Sequence, residues 1–353
     1  MVKKTLIVAV VLTLSFWLGF EGLALAQSSA QRFEELSKEL YPKAKQEGKL
    51  IIYTNADIED IVEVIDAFTK QFPGIKTDYW QSESATIVTR ALTEFRAGQA
   101  SVDIVQHDID AHLLKNAGAV TPYQSVQKND LVLSDPTLPV VGMEVQALAY
   151  NTKKIKAEDM PKDWEGLANP KYKGIVALQD PMIGGPETIQ LAILRGTWKD
   201  DARWTRFVKG LKALDVPVHR STGAMFRLLV AGEYSITEPC LLHDLLKEKE
   251  KGAPVDFVKS APPVVFPDHT VLYAKSPHPN AAKLFIEWVL SPAGQEVYCS
   301  TGRTPNLKGL DVPSSLSKNW GPDVKPLSEM DPGFPVDPKK WMDTYIKPIW
   351  GAK

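Results

Sequence analysis

Apolar positions along the chain switch between two periods, and the switches mark the elements. Leu50, Ile51, Ile52 and Tyr53 form a continuous apolar run after Gly48, the mark of a strand buried on both faces. Ile58, Ile61, Val62, Ile65 and Phe68 then recur at three- and four-residue steps, which predicts an amphipathic helix stopped by Pro73 and Gly74. A strand over 75–80 comes next. A second helical stripe, Ile87, Val88, Ala91, Leu92 and Phe95, ends near Gly98. A strand over 102–105 and a helix through Leu113 and Leu114, ending at Gly118, complete the series. Strand and helix alternate, as in a parallel sheet with helices packed on it.

A second α/β unit follows. Residues 145–151 read as strand, 164–173 as a loop-rich entry, and 175–178 as strand. Helices are predicted from Thr188, over 204–214 on the stripe Phe207, Val208 and Leu211, and over 224–231, with a strand over 216–219. The charge run 247–251 reads as the solvated face of a helix end. Residues 264–273 read as extended, and 281–290 as a helix carrying Leu284, Phe285 and Trp288. After Asp311 prolines accumulate and periodicity fades. This tail is expected to wrap the surface and dock at its end through Trp341, Tyr345 and Trp350. The segments 145–151 and 264–273 are the expected crossovers between the two units.

The first residues set the compartment. Lys3 and Lys4 precede an uncharged, mostly apolar run over 5–20, and Ala24 and Ala26 place small residues at alternate positions. That is the layout of a secretory signal over 1–26, cleaved near Ala26, and it predicts a soluble protein exported to the periplasm. No cysteine stands at the cleavage point, so no lipid anchor is expected. The 353 residues carry 41 Lys and Arg against 43 Asp and Glu, a net charge of −2, which argues against nucleic acid as a partner. Only Cys240 and Cys299 occur, with no Cys-x-x-Cys or Cys/His cluster, so a structural zinc site is not expected. Whether they pair is left open by the sequence. No Gly-x-Ser-x-Gly elbow, His-Glu-x-x-His or phosphate-cradling P-loop is present, so no catalytic residues are assigned and the protein is not read as an enzyme. A secreted hydrolase is the rival of a different class. Cys240 lies three positions from His243, and only spatial geometry would make that a nucleophile and base.

Four stretches in order resemble the periplasmic solute-binding proteins of ABC importers, in the family that contains the ferric-iron-binding proteins. They are Tyr41-Pro42-Lys43-Ala44-Lys45-Gln46-Glu47-Gly48, Tyr150-Asn151-Thr152, Pro161-Lys162-Asp163-Trp164 continuing to Gly174, and His278-Pro279-Asn280-Ala281-Ala282 continuing to Ser291-Pro292-Ala293-Gly294-Gln295. The resemblance implies an α/β, two-lobed periplasmic binding protein fold (type II-like) with ligand in the cleft. It implies a permease of the inner membrane as partner, a monomer, and a small transported solute. A receptor that signals rather than transports is the second reading of the same fold. The expected division is 27–146 plus about 264–290 for lobe one, 147–263 plus about 291–310 for lobe two, and 311–353 as the tail.

Ligands of such sheets bind beyond the carboxyl ends of the strands, where helix N-termini point. That rule selects Thr54, Asn55 and Asp57 after the first strand, Ser82 and Glu83 after the second, and His107 and Asp108 after the third. In the second lobe it selects Gly185 and Thr188, then Arg220, Ser221 and Thr222, with Arg227 nearby. Tyr150 is a candidate aromatic wall and Glu238 an assisting carboxylate. Asp57, Ser84, Asp108 and Thr222 are equally suited to plain helix capping. Ferric binders of the family hold iron with a His, a Glu and two adjacent tyrosines. By resemblance those positions fall at Asp57, Asp108 and Leu242-His243, so the phenolates are missing. The remaining metal set is Asp57, Asp108 and His243, with Fe(III) or another metal ion as the transported cargo and no resident cofactor. An anionic solute gripped by an Arg fork is the alternative.

Overall fold

The computed structural model describes residues 28–82, 84–107 and 111–351. The expected leader over 1–26, Glu83, Asp108 and the side chain of His107 lie outside them. Helix α1 (Ser29–Glu47) leads into β1 (Lys49–Thr54), α2 (Ile58–Gln71), β2 (Lys76–Gln81), α3 (Ser84–Arg96), β3 (Ile104–His107) and α4 (Ala111–Asn116). The alternation read from the sequence is therefore present. Gly48, at φ 68°, ends α1 in the left-handed conformation and turns the chain into β1. β1 pairs in parallel with β2 and with β3.

The second unit holds β4 (Val140–Asn151), β5 (Val176–Gln179), α5 (Pro186–Trp198), α6 (Asp201–Ala213), β6 (Val218–His219), α7 (Thr222–Ala231), β7 (Ile236–Leu241), α8 (Leu242–Glu250) and β8 (Val255–Phe257). β5 pairs in parallel with β6 and β7. The chain then returns through β9 (Val264–Leu272), α9 (Pro279–Leu290), α10 (Pro292–Ser300) and β10 (Thr304–Pro305).

One continuous sheet runs β2-β1-β3-β9-β4-β7-β5-β6. β4 and β9 are the crossovers. They pair antiparallel with each other, β9 continues onto β3, and β4 continues onto β7. Each parallel half is covered on both faces, so each lobe has two cores. Phe68, Phe285 and Trp288 lie on one face of the first lobe, and Ile87, Val105 and Tyr273 on the other. Trp164, Ile193 and Phe207 cover one face of the second lobe, and Phe226, Leu229 and Leu245 the other.

One boundary differs from the expectation. Residues after Ser291 were expected in lobe two, but Tyr298, Cys299 and Leu307 are buried with Phe68 and Phe285 in the first lobe. The reason is that α10 follows α9 after the single cap residue Ser291 and stays against α2. The tail does dock at its end: Phe334, Trp341 and Ile346 enter the core of the second lobe. Trp341 meets Trp204 edge-on at 6.0 Å, and the Arg195 guanidinium stacks 3.9 Å from the Tyr345 ring centre. Cys240 and Cys299 are both free and buried, one in each lobe.

Candidate functional site: the cleft between the lobes

A cleft of about 610 Å³ opens where the crossovers pass between the lobes. From the first lobe it is lined by Asn55 and Asp57, between β1 and α2, and by Gln81 and Ser82 at the end of β2. From the second lobe come Ser221, Thr222, Gly223 and Arg227 on α7, and His243, Asp244 and Lys247 on α8. Glu144 of β4, Phe266 of β9 and Arg303 form its floor.

The two walls differ in chemistry. Asp57 is exposed, and although it sits at the N-cap of α2 its side chain makes no cap bond, so the carboxylate is left to the cleft. Ser221 is the N-cap of α7, and its hydroxyl accepts from the Ala224 amide at 3.2 Å. The first intrahelical bond runs from the Met225 amide to the Ser221 carbonyl. The Thr222 and Gly223 amides precede that bond and point out of the helix start. Arg227 folds back over this turn: its Nη1 lies 3.7 Å from where a Cβ on Gly223 would stand. Open amides, the positive helix end and a guanidinium thus meet at one spot, a cradle for an anion.

The floor is a buried charge network. Arg303 binds Glu144 and lies 4.0 Å from Asp268, whose carboxylate also accepts from the Tyr298 hydroxyl. Nδ1 of His243 is 3.4 Å from Glu144, and Nε2 is 3.4 Å from Asp244. Burial pushes the Glu144 carboxyl up, but Arg303 and then His243 outweigh it and bring it down to about 2. Burial pulls His243 down, yet Glu144 and Asp244 reverse that and hold the imidazole above its usual value. Across the cleft mouth Lys247 of α8 reaches Asp60 of α2, at 3.1 and 3.3 Å from its two oxygens.

Of the residues selected from sequence, Asn55, Asp57, Ser82, Ser221, Thr222 and His243 line this one cleft. The others do not. Thr54 is fully buried under the loop, its hydroxyl accepting from the Ala56 amide at 3.0 Å. Tyr150 lies in the core of the second lobe, on the same face of β4 as Leu148 two positions before it. Gly185 is the N-cap of α5, where a Cβ would stand 2.8 Å from the Gln179 amide nitrogen; its neighbour Pro186 is the cleft residue. Thr188 is buried and donates to the Pro181 carbonyl at 2.9 Å. Arg220 is exposed and off the cleft wall; its carbonyl accepts from Gln179 at 3.3 Å. Glu238 is fully buried behind the wall, against Gln190. Glu83 and Asp108 lie outside the described residues. Among the described residues no group of three His, Cys, Asp or Glu side chains converges on a metal position. Sequence reasoning missed Glu144 and Arg303, which stand 159 positions apart and meet only through the return of the chain.

The cleft invites comparison with known proteins. The chain is 24% identical over 305 residues to the Fe(3+)-binding periplasmic protein of Serratia marcescens, covering 82% of this chain and 85% of that one. Its fold is similar to the ferric binding protein from Campylobacter jejuni, with TM-score 0.70 and 19% identity over 85% of this chain and 99% of that one. It is equally similar to the periplasmic binding protein AfuA from Actinobacillus pleuropneumoniae with fructose-6-phosphate bound, with TM-score 0.70 and 21% identity over 85% and 99%. Residues 63–323 match the model of the bacterial extracellular solute-binding proteins. That match covers most of the chain, and the protein accordingly belongs to the bacterial extracellular solute-binding proteins, a family that binds solutes rather than transforming them.

Proposed function

We propose that the protein captures a small anionic solute in the interlobe cleft and delivers it to an ABC importer of the inner membrane. It does so as a periplasmic monomer, after a leader over 1–26 is removed near Ala26. The observation that carries the ligand class is the Arg227 guanidinium folded over the open first turn of α7, inside the cleft. An anion seated there takes amide donors from the second lobe and hydroxyl or amide donors from Ser82 and Asn55 across the gap. Contacts to both walls favour the closed arrangement, which is what lets a ligand shift the lobes. The family match and the periplasmic relative support the export and import steps.

The relatives named for iron favour a second reading, a metal ion held by Asp57, Asp108 and His243. Against it, both ring nitrogens of His243 face carboxylates at 3.4 Å, which favours a charged imidazolium with no lone pair for a metal. Calorimetric titration of the unliganded protein with inorganic phosphate, sulfate, a sugar phosphate and ferric citrate separates the two. Arg227→Ala is expected to weaken the anion that binds by about 1.5–3 kcal/mol, roughly 10- to 150-fold, the range for charged hydrogen bonds. Unchanged anion affinity in that variant removes the cradle from the site. Ferric binding that survives Arg227→Ala and is lost in Asp57→Asn supports the metal.

A further inference from the structure

The charge run 247–251 reads from sequence as a solvated helix face, and one of its members does something else. Lys249 binds Asp256 at 2.8 Å and Lys251 binds Glu248 at 2.9 Å, so both stay within the second lobe. Lys247 leaves it. Its ammonium crosses from α8 to Asp60 of α2 in the first lobe, 3.1 Å from Oδ1 and 3.3 Å from Oδ2. Among the described residues no other hydrogen bond or ion pair joins these two helices.

The contact is built on both sides. The Lys247 and Asp60 side chains are 34% and 10% exposed, so water competes for the pair less than it does for an exposed one. Asp60 stands in the first turn of α2, where the positive helix end favours a carboxylate. Beside it lie Ile61, Val64 and Tyr298, which line a small cavity with it. The stem of Lys247 rests on the turn after α10. A Cβ on Gly302, which has φ 90°, would stand 3.3 Å from Cε of Lys247 and 3.6 Å from Cβ of His243. Stem and ammonium are thus both seated on the first lobe.

The sheet joins the lobes through the crossovers β4 and β9. Rotation about them that opens the cleft draws α8 away from α2 and breaks the pair, so only the closed arrangement makes it. Both partners belong to the protein, so the pair favours closure whatever the cleft contains. We propose that Lys247 is a positioning residue, which ties the lobes through Asp60 and biases the chain toward the closed arrangement before a solute binds. The tie does not rest on the anion reading of the cleft; its effect on anion affinity does.

The test is small-angle scattering of the mature protein freed of solute, beside Lys247→Met, Asp60→Asn, Lys247→Arg and the Met/Asn double variant. Lys247→Met and Asp60→Asn are each expected to lower the ratio of closed to open chains by roughly 3- to 30-fold, within the range for charges in contact. This is read as a larger radius of gyration. Lys247→Arg should stay as compact as wild type, and the double variant should expand no more than either single one. Wild-type dimensions in Lys247→Met and Asp60→Asn overturn the proposal, whether or not their melting temperatures fall. Expansion in only one of the two overturns it as well. Should Asp60→Asn not fold, Lys247→Met against Lys247→Arg decides alone, and equal dimensions there overturn the tie. Sulfate is the probe for the second arm. Both single variants should weaken it, by no more than the loss in closed fraction. Removing the acid near an anion would otherwise strengthen binding, so weakening in Asp60→Asn is the mark of the tie. Sulfate weakened by Lys247→Met but strengthened by Asp60→Asn makes the lysine a ligand contact and overturns its positioning role. Sulfate that does not bind wild type refutes the anion reading and leaves the tie to the scattering.

Discussion

Replacing Arg303 by methionine keeps the length and apolar stem of the side chain and removes the charge that the cleft floor is built around. The guanidinium binds Glu144 and stands 4.0 Å from Asp268, and these side chains are only 11%, 8% and 3% exposed. Removing one partner of a buried pair leaves the other charge unpaired, which costs about 3–5 kcal/mol. The pH dependence reports the same interaction. Glu144 is held at about 2, against an ordinary 4.5, mainly because Arg303 overcomes its burial. A lowering of that size contributes roughly 3 kcal/mol of stability. It is fully present above pH 4.5 and is lost as pH falls from there through about 2. Urea unfolding of wild type and Arg303→Met at pH 7 should therefore show a loss of about 3–5 kcal/mol with unchanged slope against urea. The same pair at pH 3 should differ by less, because the carboxyls left behind in the variant take up protons. A loss under 1 kcal/mol at pH 7, or the same difference at both pH values, would refute the floor as a charge-paired structure.

Other substitutions follow from the same packing. Trp341→Ala removes a ring 2% exposed between Trp204 and Phe334 and should cost about 3–5 kcal/mol in urea unfolding, whereas a tail that merely lay on the surface would lose little. Gly142→Ala places a Cβ 2.3 Å from the Tyr298 ring and should lower stability by about 1–3 kcal/mol, read as a lower melting temperature; wild-type melting would show that β4 has room there. Burial raises both thiols, Cys299 to about 12, so a thiol reagent should label neither cysteine in the folded protein at pH 8 and both in urea. Rapid native labelling would place a cysteine at the surface.

The parallel architecture was legible because the strands and helices of the first lobe keep their own periods: the stripe from Ile58 to Phe68 marks α2 and the run from Leu50 to Tyr53 marks β1. Other elements were not legible, α1 and β7 among them. α1 carries only Phe33, Leu40 and Ala44 as buried residues and has Pro42 inside it, so its apolar stripe is thin. β7 is the central strand of the second lobe, yet Thr237, Glu238 and Pro239 interrupt its apolar run. The strand-end rule selected Asn55, Asp57, Ser82, Ser221 and Thr222, which line the cleft because chain direction places those loops there, whereas His243 came only from the resemblance to the ferric binders. It chose Arg220 over Arg227 because nearness in sequence to Ser221 is not nearness in space: on a helix, a residue in the second turn reaches back toward the first. The floor was invisible for a different reason. Glu144 sits inside an uninterrupted buried strand and Arg303 in a turn, and only the crossover topology brings them together.

The central claim is that the cleft holds a small anion on α7 and Arg227. Native mass spectrometry of the protein released gently from the periplasm, with elemental analysis of what it carries, tests this most directly. The account predicts one added small anionic solute per chain in wild type, its loss in Arg227→Ala, and no stoichiometric iron in either. Stoichiometric iron retained in Arg227→Ala would contradict it.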